Sequence, residues 1–414
     1  MGRLLENRFI PYILVFVRLL ALGILLFGSW LDEPDALSGW DVERFSTIAE
    51  ANGQLWSEAE PVEYPPGSVV AIKAVVVENN LVASHRILAI SSFVIDLLIA
   101  YLLFRGFSRK TSTAYLLVGL ALIPMGYLRL DLWAAIFTVI ASVILLHVLR
   151  TKQNKGAFNN WGLPLLFGLA VSVGAFIKIW PGVVLIAAFG LKKWRLFVAG
   201  LAWNLSLLTV WLLYSGNGIE PINQVVSLRG AKGWHVESVV GNAISVFSDS
   251  NAQLQMNAYR IGEIGEPTVL ILRTLLIFVV LSITLFLMLE KNIDIEIILS
   301  FAVINLLTSL LITSSLLSPQ FFLWMTPWLA ILISNDRVLQ DTKYVLVKVS
   351  SIAIIISIVL TGFTLAIFAP PELDKTIPSL MLLVRNLILA GSLLTGIIYF
   401  IKRLIPTKTD PITH

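Results

Sequence analysis

Residues 11–31 read PYILVFVRLLALGILLFGSWL, and residues 38–67 read SGWDVERFSTIAEANGQLWSEAEPVEYPPG. The first stretch is an apolar run broken only by Arg18. It is long enough for a helix to cross a hydrocarbon core about 30 Å thick, which takes roughly 20 residues. No small-residue cleavage site follows it, so it reads as a retained membrane helix and not as a removed leader. The second stretch is acidic, with Asp41, Glu43, Glu50, Glu58, Glu60 and Glu63, and with Asp32 and Asp35 just upstream. Its helix-favouring residues end at Tyr64-Pro65-Pro66. A membrane span leading into an ordered acidic segment sets the expectation for the whole chain.

Composition extends that reading. The 414 residues are 57% hydrophobic and 14% charged, with a mean hydropathy of +0.85; soluble domains carry about 25% charged residues. The absence of cysteine excludes disulfides, thiolate metal sites and a Cys nucleophile. Four histidines (His85, His147, His235, His414) argue against a His-rich metal centre. A net charge of +4 does not suggest a nucleic-acid partner. Apolar segments at 11–31, 84–104, 111–126, 131–149, 161–178, 180–191, 195–214, 267–289, 295–316, 320–334, 344–368 and 378–401 predict an all-α polytopic membrane protein with about 12 transmembrane helices in one integral domain, 1–414. The pair around IKIWPGV is expected to be broken, because Pro181 removes a backbone donor. Irregular backbone at that depth is tolerated only beside protein or a wet cavity.

Orientation follows from basic residues in short loops. With the N-terminus in the cytoplasm, 18 of 30 Lys and Arg fall on the inner side, 11 outside, and Arg18 within the first span, while 18 of 26 carboxylates fall outside. Both termini are then cytoplasmic, as expected of a multi-pass plasma-membrane protein. Two outer loops are long, 32–83 and 215–266. In the first, WDVERFSTIAEANGQLW places Trp40, Phe45, Ile48, Leu55 and Trp56 at partly helical spacing, which predicts an amphipathic interfacial helix. SVVAIKAVVV (68–77) predicts a second one. No internal repeat is visible, which argues against transporter folds built from repeated halves.

Charges inside spans are costly, about 2.5–3.5 kcal/mol each even on the lenient scale. Arg18 lies about 10 Å into the first span and Asp96 about 12 Å from the inner end of the second, counted at 1.5 Å per residue, so the two are expected to pair. Other charged and polar residues share the outer level: Arg86, Arg129, Asp131, Lys178 and Gln320, with Arg229, Lys232, His235 and Glu237 in SLRGAKGWHVES. Each alone reads first as an interfacial anchor and only second as a site residue. Together with Asp41 they form a polar ring in which several cations surround one carboxylate. An anion plus a proton acceptor fits such a ring, and a phosphate half-sunk in the bilayer edge is one such anion.

Four motifs carry a resemblance: an outward Asp soon after the first span, YPPG (64–67), KIWP (178–181) and SPQFFLW (318–324). In this order the chain resembles the GT-C glycosyltransferases, and more narrowly the polyprenol-phosphate-mannose-dependent mannosyltransferases of actinobacteria. WHVES (234–238) is similar to a loop motif of these proteins. The resemblance implies a many-helix fold with short helices capping an outer cavity, a polyprenyl-phosphate sugar donor, a glycolipid or polysaccharide acceptor, inversion at the sugar, and no cofactor or required metal. It implies Asp41 as the catalytic residue, with Tyr64, Lys178 and Gln320 lining the cavity and His235 and Glu237 beside it. The first loop departs from the pattern in lacking a clear Asp-x-Asp pair, which leaves the sugar open between mannose and arabinose.

The residues themselves allow this chemistry. Inverting transfer needs a base for the attacking hydroxyl, stabilisation of the leaving phosphate, and exclusion of water. Asp41 lies shortly after the first span; Glu43, Glu58 and Glu63 compete with it, and a helix N-cap is the alternative role for Asp41. Lys178, Arg129, Arg86, Arg229 and His235 are candidate phosphate donors. The rival readings are a lipid or polysaccharide transporter or flippase, a surface-polysaccharide polymerase or ligase, and a structural scaffold.

Overall fold

The structure is a computed structural model that describes residues 5–28, 41–51, 55–57, 61–151, 161–227, 231–248, 250–255, 258–290, 294–367 and 377–404. The described residues are 81% helical. Helix α1 (Ile10–Phe27) is followed by the short α2 (Asp41–Glu50) and α3 (Pro66–Val75) and the long α4 (Leu81–Gly106). Then come α5 (Arg109–Val118), a 3-10 turn at Gly119–Leu122, α6 (Ile123–Tyr127) and α7 (Asp131–Arg150). Next are α8 (Gly162–Ile177), a 3-10 turn at Trp180–Gly182, α9 (Val183–Gly190) and α10 (Trp194–Ser215). The second long loop holds α11 (Glu220–Val226), β1 (Trp234–His235), α12 (Val239–Phe247), β2 (Gln253–Gln255) and β3 (Ala258–Ile261). The chain continues through α13 (Glu266–Leu289), α14 (Ile295–Thr313), a 3-10 turn at Pro319–Trp324, α15 (Thr326–Ser334), α16 (Asp336–Gln340), α17 (Val345–Ile367) and α18 (Ile377–Leu404).

Among the described residues, eight helices are long and apolar enough to cross a membrane: α1, α4, α7, α10, α13, α14, Thr342–Thr364 and α18. The chain is thus a polytopic helical membrane protein. The other four expected segments are shorter or interrupted, and proline is the main cause. Pro124 begins α6 after a 3-10 stretch, Pro181 opens the turn between α8 and α9, and Pro319 and Pro327 flank the turn before α15. Each removes a donor that a continuous helix would use. Helix α8 has 16 residues.

Burial separates lining from core. Helix α14 is the central element, 83% buried over its apolar window, while α13 is 17% buried. Side chains on α1 and α13 such as Tyr12, Phe16, Ile24, Leu270 and Leu281 stay exposed, as contiguous apolar faces do against lipid. The expected ion pair forms within this core. Arg18 Nε donates to Asp96 Oδ2 at 2.7 Å and its Nη1 to the Leu116 carbonyl at 2.7 Å. The Tyr115 and Tyr127 hydroxyls donate to Asp96 at 2.5 and 3.0 Å. Each carboxylate oxygen thus has a donor, as a charge removed from water requires.

The bundle has two polar ends. At one, Lys110 pairs with Glu6 at 2.8 Å and Asp336 at 3.0 Å, Arg403 with Glu290 at 2.8 Å, Arg150 with Glu296, and Arg337 with Asp294. The two long loops cover the other. In the first loop, α2 buries Val42, Phe45 and Ile48, one face at helical spacing. It ends at Glu50, earlier than the sequence pattern suggests. Trp56 instead turns inward from a left-handed conformation, φ 60°, and its indole donates to the Tyr64 carbonyl at 3.0 Å. Helix α3 forms over Pro66–Val75, close to the expected 68–77. The second loop departs from an all-helical expectation. It holds a small antiparallel sheet in the order β1–β3–β2, with His235 opposite Arg260 and Leu254 opposite Tyr259. Strands this short carry too few alternating residues to be read by periodicity.

Candidate functional site

The sequence motifs meet at the loop end of the bundle. Pro65 and Pro66 start α3, with Pro66 at its first position, where the missing N–H costs nothing. Gly67 then lies against the last turn of α8: a Cβ there would sit 2.5 Å from the Phe176 carbonyl oxygen. The Ser68 hydroxyl donates to the Ile177 carbonyl. The close approach explains the glycine of YPPG and joins that motif to KIWP. Lys178 leaves α8 in an extended conformation, and its Nζ lies 4.7 Å from the Tyr64 ring centroid, a cation–π contact. Among the described residues Lys178 pairs with no carboxylate.

Asp41 opens α2 and pairs with Arg129, which lies between α6 and α7. Both side chains stay partly open, 22% and 20% exposed. Burial lowers the Arg129 pKa to about 10, against which Asp131 acts, so the guanidinium stays charged at neutral pH. Its Nε makes no hydrogen bond among the described residues. Asp131 is fully buried at the start of α7 and accepts from the Trp324 indole at 2.6 Å through Oδ1, while its Oδ2 has no partner among the described residues. Trp324 in turn stacks on Trp180 at 5.2 Å and on Phe321 at 4.4 Å. The SPQFFLW turn thus links the Arg129–Asp131 segment to KIWP.

On the other flank of that turn lies Arg385, a fully buried guanidinium in α18 that the sequence reading counted only as an outer cation. Its Nη1 donates to Glu237 Oε2 at 3.0 Å and its Nη2 to the Glu237 carbonyl at 2.6 Å. Its guanidinium sits 5.7 Å from the Phe322 ring centroid. An arginine inside the last apolar span was the available signal, since such a charge calls for a partner. Glu237 has its pKa raised by burial, with Arg385 opposing that rise. The His235 backbone N–H donates to the Ser315 carbonyl at 2.9 Å, and its Nδ1 accepts from the Glu237 N–H at 3.4 Å. Burial, with Arg260 and Arg385 nearby, pushes its pKa down to about 3 against a hydrogen bond to the Leu317 backbone. His235 is therefore a neutral link between WHVES and SPQ, and not a cation for phosphate.

Gln320 is 7% exposed, and its Oε1 accepts from the Ser318 hydroxyl. Arg86 stands apart from these contacts: its Nε donates to the Leu26 carbonyl at 3.0 Å and it lies over the Phe27 ring, joining the ends of α1 and α4. Arg229 lies outside the described residues, as do Trp40, Glu58 and Glu60. Glu63 pairs with Arg44 at 3.3 Å, and Glu43 lies exposed on α2. Among the described residues no three His, Asp or Glu side chains are grouped as metal ligands. The chain matches no family model, no curated protein and no solved structure.

Proposed function

We propose that the protein is a membrane glycosyltransferase that moves a sugar, mannose in the first instance, from a polyprenyl-phosphate donor to an acceptor hydroxyl, with inversion. The observation that carries this reading is the Asp41–Arg129 pair, half-open at the loop end, with Lys178 beside the YPPG–KIWP junction. A carboxylate and two cations suit a reaction that releases a proton and a phosphate. The acceptor hydroxyl attacks the anomeric carbon as the carbon–oxygen bond to phosphate breaks on the opposite face. Asp41 takes the hydroxyl proton. Lys178 and Arg129 meet the charge that develops on the departing polyprenyl phosphate. The transferred sugar's energy lies in its phosphate bond, so no nucleotide is needed. An arabinosyl donor would use the same groups.

In this reading the chain crosses the plasma membrane twelve times, with both termini cytoplasmic and the loop end outside. The shorter segments support it, because they link the two polar ends. Lys110 at the start of α5 meets Glu6 and Asp336, whereas Arg129 just beyond α6 meets Asp41. Gln54→Cys in this cysteine-free chain tests the orientation: labelling by an impermeant thiol reagent from outside supports it, and labelling only from the cytoplasm refutes it. The Arg18–Asp96–Tyr115–Tyr127 network is the feature a transporter reading would use, since paired charges at depth line substrate paths. Turnover of a synthetic polyprenyl-phosphate mannose by the purified protein decides between them; a transporter gives none.

A further inference from the structure

The ion pair within the helices borders a small cavity. About 10 Å³ of it is open to the centre of a water-sized molecule, and Arg18, Asp96, Tyr127 and Thr326 line it together with Gly119 and Leu323. The four polar side chains are all buried, none more than 4% exposed. Arg18 Nε donates to Asp96 and Nη1 to the Leu116 carbonyl, whereas Nη2 donates to no described residue. Gly119 stands beside that nitrogen: a Cβ there would sit 3.1 Å from it, so the missing side chain leaves room next to Nη2. A buried donor of a charged group without an acceptor is costly. Acceptors lie on the same cavity wall. The Tyr127 hydroxyl commits its proton to Asp96 and the Thr326 hydroxyl its proton to the Leu323 carbonyl, and each oxygen keeps its lone pairs.

One water needs about 10–15 Å³ on the same measure and roughly two to four polar partners, and the cavity meets both conditions. Its charges suit no ion: a cation would face the Arg18 guanidinium, and an anion the Asp96 carboxylate. We infer that this cavity is a binding site for a single ordered water, which accepts from Arg18 Nη2 and donates to the Thr326 and Tyr127 hydroxyl oxygens. The water engages the one guanidinium nitrogen that the protein leaves open. It also ties α1, most of whose contacts are to lipid, to Thr326 at the start of α15 and so to the turn at Pro319–Trp324. The site is independent of the glycosyltransferase reading, because it involves neither Asp41, Arg129 nor Lys178.

X-ray radiolysis of the protein in lipid nanodiscs tests this. It converts a bound water into hydroxyl radical, which oxidises the side chains that touch it, and mass spectrometry reads the products. Tyr127 and Leu323 are buried from bulk solvent, so a bound water is their source of radical. Both should be oxidised several-fold faster than Phe301, which is fully buried and does not line the cavity. Gly119→Ala puts a methyl beside Nη2 and should bring both rates down to that of Phe301. It should also lower the melting temperature, because the displaced water leaves a guanidinium N–H against carbon; a dry cavity would gain contacts from the methyl and the melting temperature would rise. Thr326→Val keeps the shape and removes one acceptor, so it should lower both rates by less. If Gly119→Ala does not fold, Thr326→Val decides. Wild-type oxidation of Tyr127 and Leu323 no faster than that of Phe301, rates unchanged in Thr326→Val, or a raised melting temperature in Gly119→Ala overturns the inference.

Discussion

Two arginine–aspartate pairs in this chain have the same chemistry and opposite surroundings. Arg18–Asp96 lies within the helices with side chains 1% and 6% exposed, and two tyrosine hydroxyls and a backbone carbonyl add hydrogen bonds to it. Arg129–Asp41 lies at the loop end, about a fifth exposed, with the arginine Nε unpartnered among the described residues. A buried pair whose carboxylate oxygens both accept from neighbouring protein groups has its value in the fold. A pair left partly open can exchange its partner for a substrate group. Satisfaction of the charges, not their identity, separates a structural pair from a candidate site.

The largest expected effect tests the open pair. Asp41→Asn should keep the protein folded and lower turnover of a polyprenyl-phosphate sugar by about 10²–10⁴-fold, the usual contribution of a positioned base. Glu43→Gln, on the same helix and exposed, should lose little. Equal loss in both variants would erase the distinction drawn for Asp41.

For the closed pair, the effect should appear in stability and not in chemistry. Arg18→Leu leaves Asp96 buried without its counterion, a change on the order of 3–5 kcal/mol. The double variant Arg18→Leu with Asp96→Leu should be milder than either single change, because no orphan charge remains. Melting temperatures and yields in detergent measure this, and additive losses would show that the two residues do not act together.

A smaller effect is expected at Lys178. Removing one charge-assisted contact to phosphate costs roughly 1.5–3 kcal/mol, so Lys178→Ala should raise the donor KM by about tenfold to a hundredfold and leave the acceptor KM unchanged. An unchanged donor KM removes Lys178 from the site.

The smallest effect concerns His235. Its folded pKa, about 3, lies below the ordinary value of 6.5. The unfolded chain therefore binds the extra proton between those pH values, and stability falls as pH drops from about 6.5 toward 3. At pH 5 the loss is on the order of 1–2 kcal/mol. His235→Gln, which keeps a donor and an acceptor but does not titrate, should flatten that part of the melting-temperature profile. An equally steep acid profile in the variant would show that other groups carry it.

Much of the architecture was legible from residue type and spacing. Apolar runs mark the eight long helices because a bilayer imposes their length. The Arg18–Asp96 pair followed from depth alone, since a buried charge demands a partner and only one was at its level. The amphipathic face of α2 was visible as Phe45 and Ile48 at helical spacing, and its Asp41 as a carboxylate just past the first span. What the linear chain could not decide was which distant groups meet. Glu237 reads in the sequence as one member of an outer polar ring, and its partner Arg385 lies 148 residues away. His235 looked like a cation until its burial beside Arg260 and Arg385 made it neutral. The short strands at Trp234–His235, Gln253–Gln255 and Ala258–Ile261 exist because of their pairing with one another. Local sequence sets where the chain is apolar and where it must break; the charge state and partners of a polar group depend on its desolvation and its neighbours in space, and those come into being only with the tertiary fold.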